Sequence, residues 1–385
     1  MVHRNIKLLT WFNLFTDFKL YTGILIIYFA KVSGSFTLGM TVFSIAMISS
    51  AFFEIPTGVF SDFIGRKKTV ILGAFSAILY SLFYALGGSF FILAIGAIFE
   101  GLSRSFYSGN NDALLHDSLA ETGSQEQYAE FLGKLSSMFQ IALAISAVTG
   151  GIIANYSFTI VMWASIIPQI ICVFIALFLK DIKVSGRSGN IYVHLKNSIS
   201  EFIKNEKLRM LSISSMLMYG IGEASFQFQA AFYNTLWPVW AIGFAKTSSY
   251  LGATLSFRFS GKIIGKFGKI QMLLIGNIYS RIIHLVSLLF PTVLSPILMS
   301  STSLLYGTSS VARNTPFQEE FKDDKRATMG SLNSFGGSIV FGVAAIGLGL
   351  IADKTSPATA LLVGTLFLFI PVFIYWKLYK TKNKA

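Results

Sequence analysis

Long apolar runs follow one another along this chain with only short polar breaks between them, and that pattern dictates the fold class. A bilayer core needs about 20 mostly apolar residues per crossing helix. Runs of that kind are read near residues 8–30, 36–58, 69–88, 90–110, 131–154, 157–179, 209–232, 239–260, 270–290, 296–314, 328–352 and 357–377, twelve in all. An all-α integral membrane protein with twelve transmembrane helices is therefore expected. Composition agrees. Of 385 residues, 53% are hydrophobic and only 13% are charged, against about 25% charged in an ordinary soluble domain. That excludes a soluble enzyme and a disordered chain. The single cysteine, Cys172, excludes an intramolecular disulfide and a cysteine-based metal site. Four scattered histidines (His3, His116, His194, His284) show no metal-ligand spacing.

The first run follows Met1–Lys7 and looks like the apolar part of a signal peptide, but it is too long and lacks a small-residue cleavage site, so a retained helix is expected. The net charge of +13 would suggest nucleic acid in a soluble domain. Here the basic residues cluster between apolar runs, at Arg66–Lys68, Lys262–Lys269, Lys322–Arg326 and Lys377–Lys384, all on one side if the chain begins inside. The opposite loops hold at most Lys31, Lys246 and Lys354. Cytoplasmic loops carry the excess of Lys and Arg, which places both termini in the cytoplasm. Lys246 sits in an outer loop or in an eighth span that begins near Pro238, and the sequence leaves both open.

The longest polar stretch divides the chain into an N-terminal six-helix half (1–180), a cytoplasmic linker (181–208) and a C-terminal six-helix half (209–385). Within the linker, Val193, Leu195, Ile199, Phe202 and Ile203 recur at helical spacing, which fits an amphipathic helix on the inner leaflet or a solvated helical linker.

Between the second and third runs the chain reads Gly58, Val59, Phe60, Ser61, Asp62, Phe63, Ile64, Gly65, Arg66, Lys67, Lys68. Gly58 suits a close helix approach, and Gly65 suits a tight turn between two helix ends. Asp62 sits where it can act on a helix terminus. The stretch resembles the signature loop of the major facilitator superfamily, G-x-x-x-D-(R/K)-x-G-R-(K/R). Phe63 departs from it at the position that is usually basic. A degenerate copy lies at the matching place in the second half: Gly261, Lys262, Gly265, Lys266, Gly268 and Lys269, with Gly265 at the Asp position. The fourth and tenth runs end alike, with Gly, hydroxyl residues, Arg104 or Arg313, and Asn110 or Asn314. Glu54, Pro56 and Gly58 resemble a prokaryotic group within that superfamily. The fifth run, with Ser146, Gly150 and Gly151, lacks a clear glycine–proline signature of its drug/proton antiporters.

The resemblance implies two pseudo-symmetric six-helix bundles in the inner membrane of a prokaryote. It also implies an inner gate, in which Arg66 and Lys67 pair with acids on neighbouring helix ends. Asp112 is the expected partner of Arg66, and Glu54 is placed beside this gate.

A charge near the bilayer centre costs about 2.5–3.5 kcal/mol on insertion scales, so each embedded one calls for a role. Thr10, Asn13, Asp17, Tyr21 and Tyr28 recur as one polar stripe on the first run; Ser212, Ser215, Tyr219, Glu223, Gln227 and Asn234 do so on the seventh. In the resembled fold both runs face the central cavity. Asp17 and Glu223 are the leading ligands or proton carriers, since a carboxylate in low dielectric takes up a proton more readily than in water. Asp17 has an alternative, an ion pair with Lys19 or Arg104. Glu100 and Arg104, at i and i+4, either pair structurally or release Arg104 to bind an anion. Gln140 and Asn333 complete the cavity candidates. Arg281 is expected to pair across helices.

The function implied is secondary active transport of a small organic solute by alternating access, coupled to protons, with export favoured over uptake. The alternative is a facilitative uniporter or uptake carrier on the same fold. A receptor or lipid-handling protein that has lost transport ranks third. Expected partners are membrane lipid, a small-molecule substrate and protons, with no nucleic acid, no cofactor, no metal and a monomeric state. No nucleophile–base arrangement or phosphate-cradling loop argues for an enzyme.

Overall fold

The computed structural model describes residues 2–108, 110–121, 123–180, 205–319 and 326–382. The amphipathic stretch read at 192–203 and most of the expected linker lie outside the described residues. Every regular element among the described residues is helical. Two compact units emerge: Met1–Arg187 with Pro238–Thr247, and Ser188–Trp237 with Ser248–Ala385.

In chain order the first unit holds α1 (Val2–Asp17), α2 (Leu25–Ser33), α3 (Phe36–Ile64), α4 (Arg66–Leu86), α5 (Phe90–Tyr107), α6 (Asn110–Ala120), α7 (Tyr128–Ala154), α8 (Phe158–Ala164) and α9 (Ile166–Phe178). Helix α5 packs against both α3 and α4, while α1 packs on α7 and α9. The core gathers Leu9 and Phe12 of α1, Val70 of α4, Leu114 and Leu119 of α6, and Cys172 of α9. The chain continues with α10 (Glu206–Tyr233), α11 (Val239–Phe267), α12 (Lys269–Leu289), α13 (Ser295–Ser301), α14 (Ser303–Glu319), α15 (Arg326–Lys354), α16 (Pro357–Phe367) and α17 (Phe369–Lys382). In the second unit α10 packs on α15, and α12 on α14.

Among the described residues, seven stretches are long and apolar enough to cross a membrane: Phe36–Glu54, Arg66–Leu86, Phe90–Ala120, Phe158–Phe178, Lys269–Leu289, Gly330–Lys354 and Pro357–Leu378. Their outer faces carry large apolar side chains in the open, among them Phe75, Phe91, Phe174, Ile282 and Phe373. Exposed apolar surface on this scale suits contact with lipid. Two of the short interruptions have a proline cause. Pro168 and Pro371 lack the N–H that would reach the fourth residue back, and the helices break at Ser165 and Leu368.

The internal repeat is visible in local geometry. Helices α3 and α11 both span 29 residues, and α4 and α12 both span 21. One glycine joins α3 to α4 and another joins α11 to α12, Gly65 at φ 92° and Gly268 at φ 84°. An L side chain is strained at such angles, so the turn requires glycine.

Two expectations need correction, and the two placements left open for Lys246 reduce to one. The run 8–30 is not one helix: α1 ends at Asp17 and α2 starts at Leu25. The stripe therefore holds from Thr10 through Asp17 but does not continue to Tyr21 and Tyr28. Lys246 is not in a loop; it lies within α11, 2% exposed, beside Gly23. Gly58 does not serve close approach, because a Cβ there would meet nothing within 4 Å among the described residues.

Candidate functional site

The break after α1 leaves backbone groups without helical partners, and other elements meet them. The Ser165 hydroxyl accepts the N–H of Leu20 at 3.1 Å. The Gln169 side-chain amide donates to the carbonyls of Phe15 and Thr16, each at 3.4 Å. Gly150 of α7 lies so close that a Cβ on it would collide with the Leu20 carbonyl. Non-helical backbone at membrane depth is tolerated only where protein buries it or a cavity hydrates it; here protein supplies the partners.

Around this break the first unit gathers its embedded charges. Asp17, the last residue of α1, lies within electrostatic reach of Lys19 and Arg104, the two partners proposed for it. The Lys19 ammonium sits 5.2 Å from the centre of the Tyr80 ring, a cation–π contact. Tyr84 donates its hydroxyl to Glu100 Oε2 at 2.7 Å. Glu100 Oε1 meets Arg104 at 3.4 Å, so the i, i+4 pair forms. Tyr21 packs edge-on against Tyr84, with ring centres 6.3 Å apart. Tyr28 donates to the Tyr84 carbonyl at 2.7 Å. Tyr80 and Tyr84 were not among the expected site residues. Two tyrosines at i and i+4 in an otherwise apolar helix were the available signal. Asn13 spends its amide on the Leu9 carbonyl of its own helix, at 3.0 Å. The Gln140 carbonyl oxygen is buried with no hydrogen-bond partner among the described residues.

In the second unit Ser212, Ser215, Tyr219, Glu223 and Gln227 do share one continuous helix, α10. Gln227 donates to Glu223 Oε1 at 2.8 Å. Tyr306 of α14 lies within electrostatic reach of both Glu223 and Arg313. Asn333 of α15 donates to Ser215 at 3.2 Å, and Tyr219 lies against Gly337. The expected cross-helix pairing of Arg281 with an acid does not form among the described residues. Its guanidinium donates to Ser280, its own neighbour, at 3.2 Å.

At the signature loop, Arg66 opens α4 directly after Gly65. Its acidic partner on α6 is Asp117, at 3.9 Å, rather than Asp112, which is exposed. Ser61 donates to Asn110 at 2.9 Å, and Asn110 donates to the Arg66 carbonyl at 3.1 Å, tying the ends of α3, α4 and α6 together. His116 Nδ1 approaches the other Asp117 oxygen at 3.6 Å. Glu54 accepts from Ser108 at 3.4 Å. Lys67 is partly buried, and the side chain of Asp62 lies outside the described residues.

The sequence model described as Major Facilitator Superfamily matches residues 8–345. The chain belongs to the major facilitator superfamily. Among curated relatives, it is 30% identical over 173 residues to an uncharacterised transporter of Buchnera aphidicola, covering 44% of this chain and 43% of that one. The chain thus spans less than half the length of the first two curated relatives it matches. An uncharacterised MFS-type transporter of Methanocaldococcus jannaschii is 24% identical over 339 residues, covering 82% of this chain and 84% of that one. The D323A form of the solved nucleoside transporter NupG superposes with a TM-score of 0.81 at 14% identity, covering 97% of this chain and 99% of that one. At that identity the likeness carries the fold alone. Membership makes the chain an integral membrane protein of a transporter family.

Proposed function

We propose that this superfamily member is a secondary active transporter of the cytoplasmic membrane. It moves a small organic solute by alternating access, coupled to protons and favouring export. Its halves are 1–180 and 209–385, joined by 181–208, with both termini in the cytoplasm. Asp17 and Glu223 carry the proton. The candidate solute-binding residues are Tyr21, Glu100, Arg104 and Gln140 in the first half, with Asn13 at their margin, and Tyr219, Gln227 and Asn333 in the second. Gly65, Arg66, Lys67, Asp62 and Glu54 act at the inner gate, with Asp117 taking the part expected of Asp112.

The observation that supports this reading is the helix break at Asp17 beside the Glu100–Arg104 pair. Interrupted helices are where transporters place ion and substrate sites, and Asp17 sits at such an interruption with Lys19, Arg104, Tyr80 and Tyr107 within electrostatic reach. The test begins with a thermal-shift screen of the purified protein against drugs, sugars, amino acids and siderophores. Uptake of the hit into proteoliposomes is then driven by a pH gradient. Asp17→Asn and Glu223→Gln abolish the driven flux while the protein still folds. Normal driven flux in both variants would remove the proton-carrier assignment. Counterflow without proton movement in the parent protein would favour the uniporter.

A further inference from the structure

Helix α12 carries a cation that none of the roles above uses. Arg281 lies twelve residues after Lys269, the first residue of α12, or about 18 Å along the helix axis. In a core about 30 Å thick that is close to the midplane. Around it the second unit buries a polar chain. Tyr233 donates to Gln229 Oε1 at 3.3 Å, and Gln229 Nε2 meets His284 Nε2 at 3.2 Å. His284 Nδ1 meets the Ser280 carbonyl at 2.7 Å. Gln229 and His284 are only 6% and 8% exposed.

The hydrogen bonds decide the state of the imidazole. A carbonyl only accepts, so Nδ1 carries the proton. The amide nitrogen of Gln229 only donates, so Nε2 offers its lone pair. His284 is therefore a neutral donor–acceptor, and the charge of Arg281, within electrostatic reach of it, is not balanced from this side. Nor is it balanced elsewhere: among the described residues no carboxylate stands within ion-pair distance of Arg281. Among the described residues its one hydrogen bond goes to Ser280, and its Nε is buried without an acceptor. The embedded acid of α10, Glu223, is engaged by Gln227. A guanidinium kept at membrane depth with spare donors and no counter-ion is matched by a planar or tetrahedral oxyanion, which accepts two parallel N–H bonds.

We propose that Arg281, backed by His284 and Gln229, forms an anion site inside the second unit that takes one carboxylate or phosphate group. The group belongs to a small solute or to a lipid headgroup, and the depth of Arg281 favours the solute. The site goes beyond the proton-carrier reading and does not depend on it, because binding is measured without flux.

The test uses the full chain purified in a neutral detergent. Acetate, benzoate and inorganic phosphate are titrated against chloride at matched ionic strength, and the unfolding midpoint is followed. At least one of the three raises the midpoint saturably. Arg281→Gln removes that response, and Arg281→Lys, which keeps the charge but loses the fork, weakens it about tenfold. Should Arg281→Gln fail to fold, Arg281→Lys carries the comparison. No saturable rise over chloride, or an unchanged response in the folded variants, would overturn the site. In nanodiscs, stabilisation by phosphatidylglycerol over phosphatidylcholine that disappears in the Arg281 variant assigns the anion to lipid. A response in lipid-free detergent assigns it to a solute.

Discussion

Glu100 is held from two sides, and the two interactions differ in strength. Tyr84 is fully buried and donates to the carboxylate at 2.7 Å. A hydrogen bond to a charged group contributes about 1.5–3 kcal/mol. Arg104 lies 3.4 Å away, but its side chain is 50% exposed against 15% for Glu100. An exposed i, i+4 ion pair contributes about 0.3–0.5 kcal/mol. The tyrosine, not the arginine, should therefore anchor the acid. Two double-mutant cycles test this, one pairing Tyr84→Phe with Glu100→Met and the other Arg104→Gln with Glu100→Met, read by unfolding of the purified protein. The Tyr84–Glu100 coupling should be at least about three times the Arg104–Glu100 coupling. Equal couplings, or a larger one for Arg104, would refute the ranking. If it holds, Glu100 is the fixed point of the cluster. Arg104 is then the group that can exchange partners, with Asp17 already within its reach.

Two further predictions concern local packing. Gly150→Ala forces a methyl group against the Leu20 carbonyl, so stability should fall by about 1–3 kcal/mol, the usual cost of overpacking; an unfolding midpoint equal to the parent's would contradict the close approach. Asp117→Asn should lower stability by up to about 1 kcal/mol through loss of the partly buried Arg66 pair, while Asp112→Asn should leave it unchanged; the reverse order in thermal unfolding would restore Asp112 as the partner.

Hydropathy made the class of fold legible because each crossing segment must be apolar over its own length, and that requirement is local. The turn at Gly65 was legible for the same reason, since a backbone angle near 90° demands glycine in place, and Gly268 repeats it. Partner choice was not. Asp112 and Asp117 stand five residues apart on α6, which turns them about 140° from each other around the helix. Only one can face Arg66, and the chain's local pattern carries no record of which.

The break at Asp17 shows the limit most clearly. No proline stands between Asp17 and Leu25, and the one glycine there, Gly23, comes six residues after α1 has ended. Local turn bonds hold part of the opened backbone, such as Thr22 N–H to the Lys19 carbonyl at 3.0 Å, and the rest is met from more than a hundred residues away: Gly150 makes room for the Leu20 carbonyl, the Ser165 hydroxyl takes the Leu20 N–H, and Gln169 serves the Phe15 and Thr16 carbonyls. Ser165 stands at the gap between α8 and α9, three residues before Pro168, and its hydroxyl also donates to the Val161 carbonyl at 2.7 Å. The interruption that brings Asp17, Lys19 and Tyr21 toward Tyr80, Tyr84 and Glu100 is thus a tertiary product. Substitutions at Gly150, Ser165 or Gln169 should disturb the candidate site as surely as changes to its charged residues, because they act on the backbone that positions them.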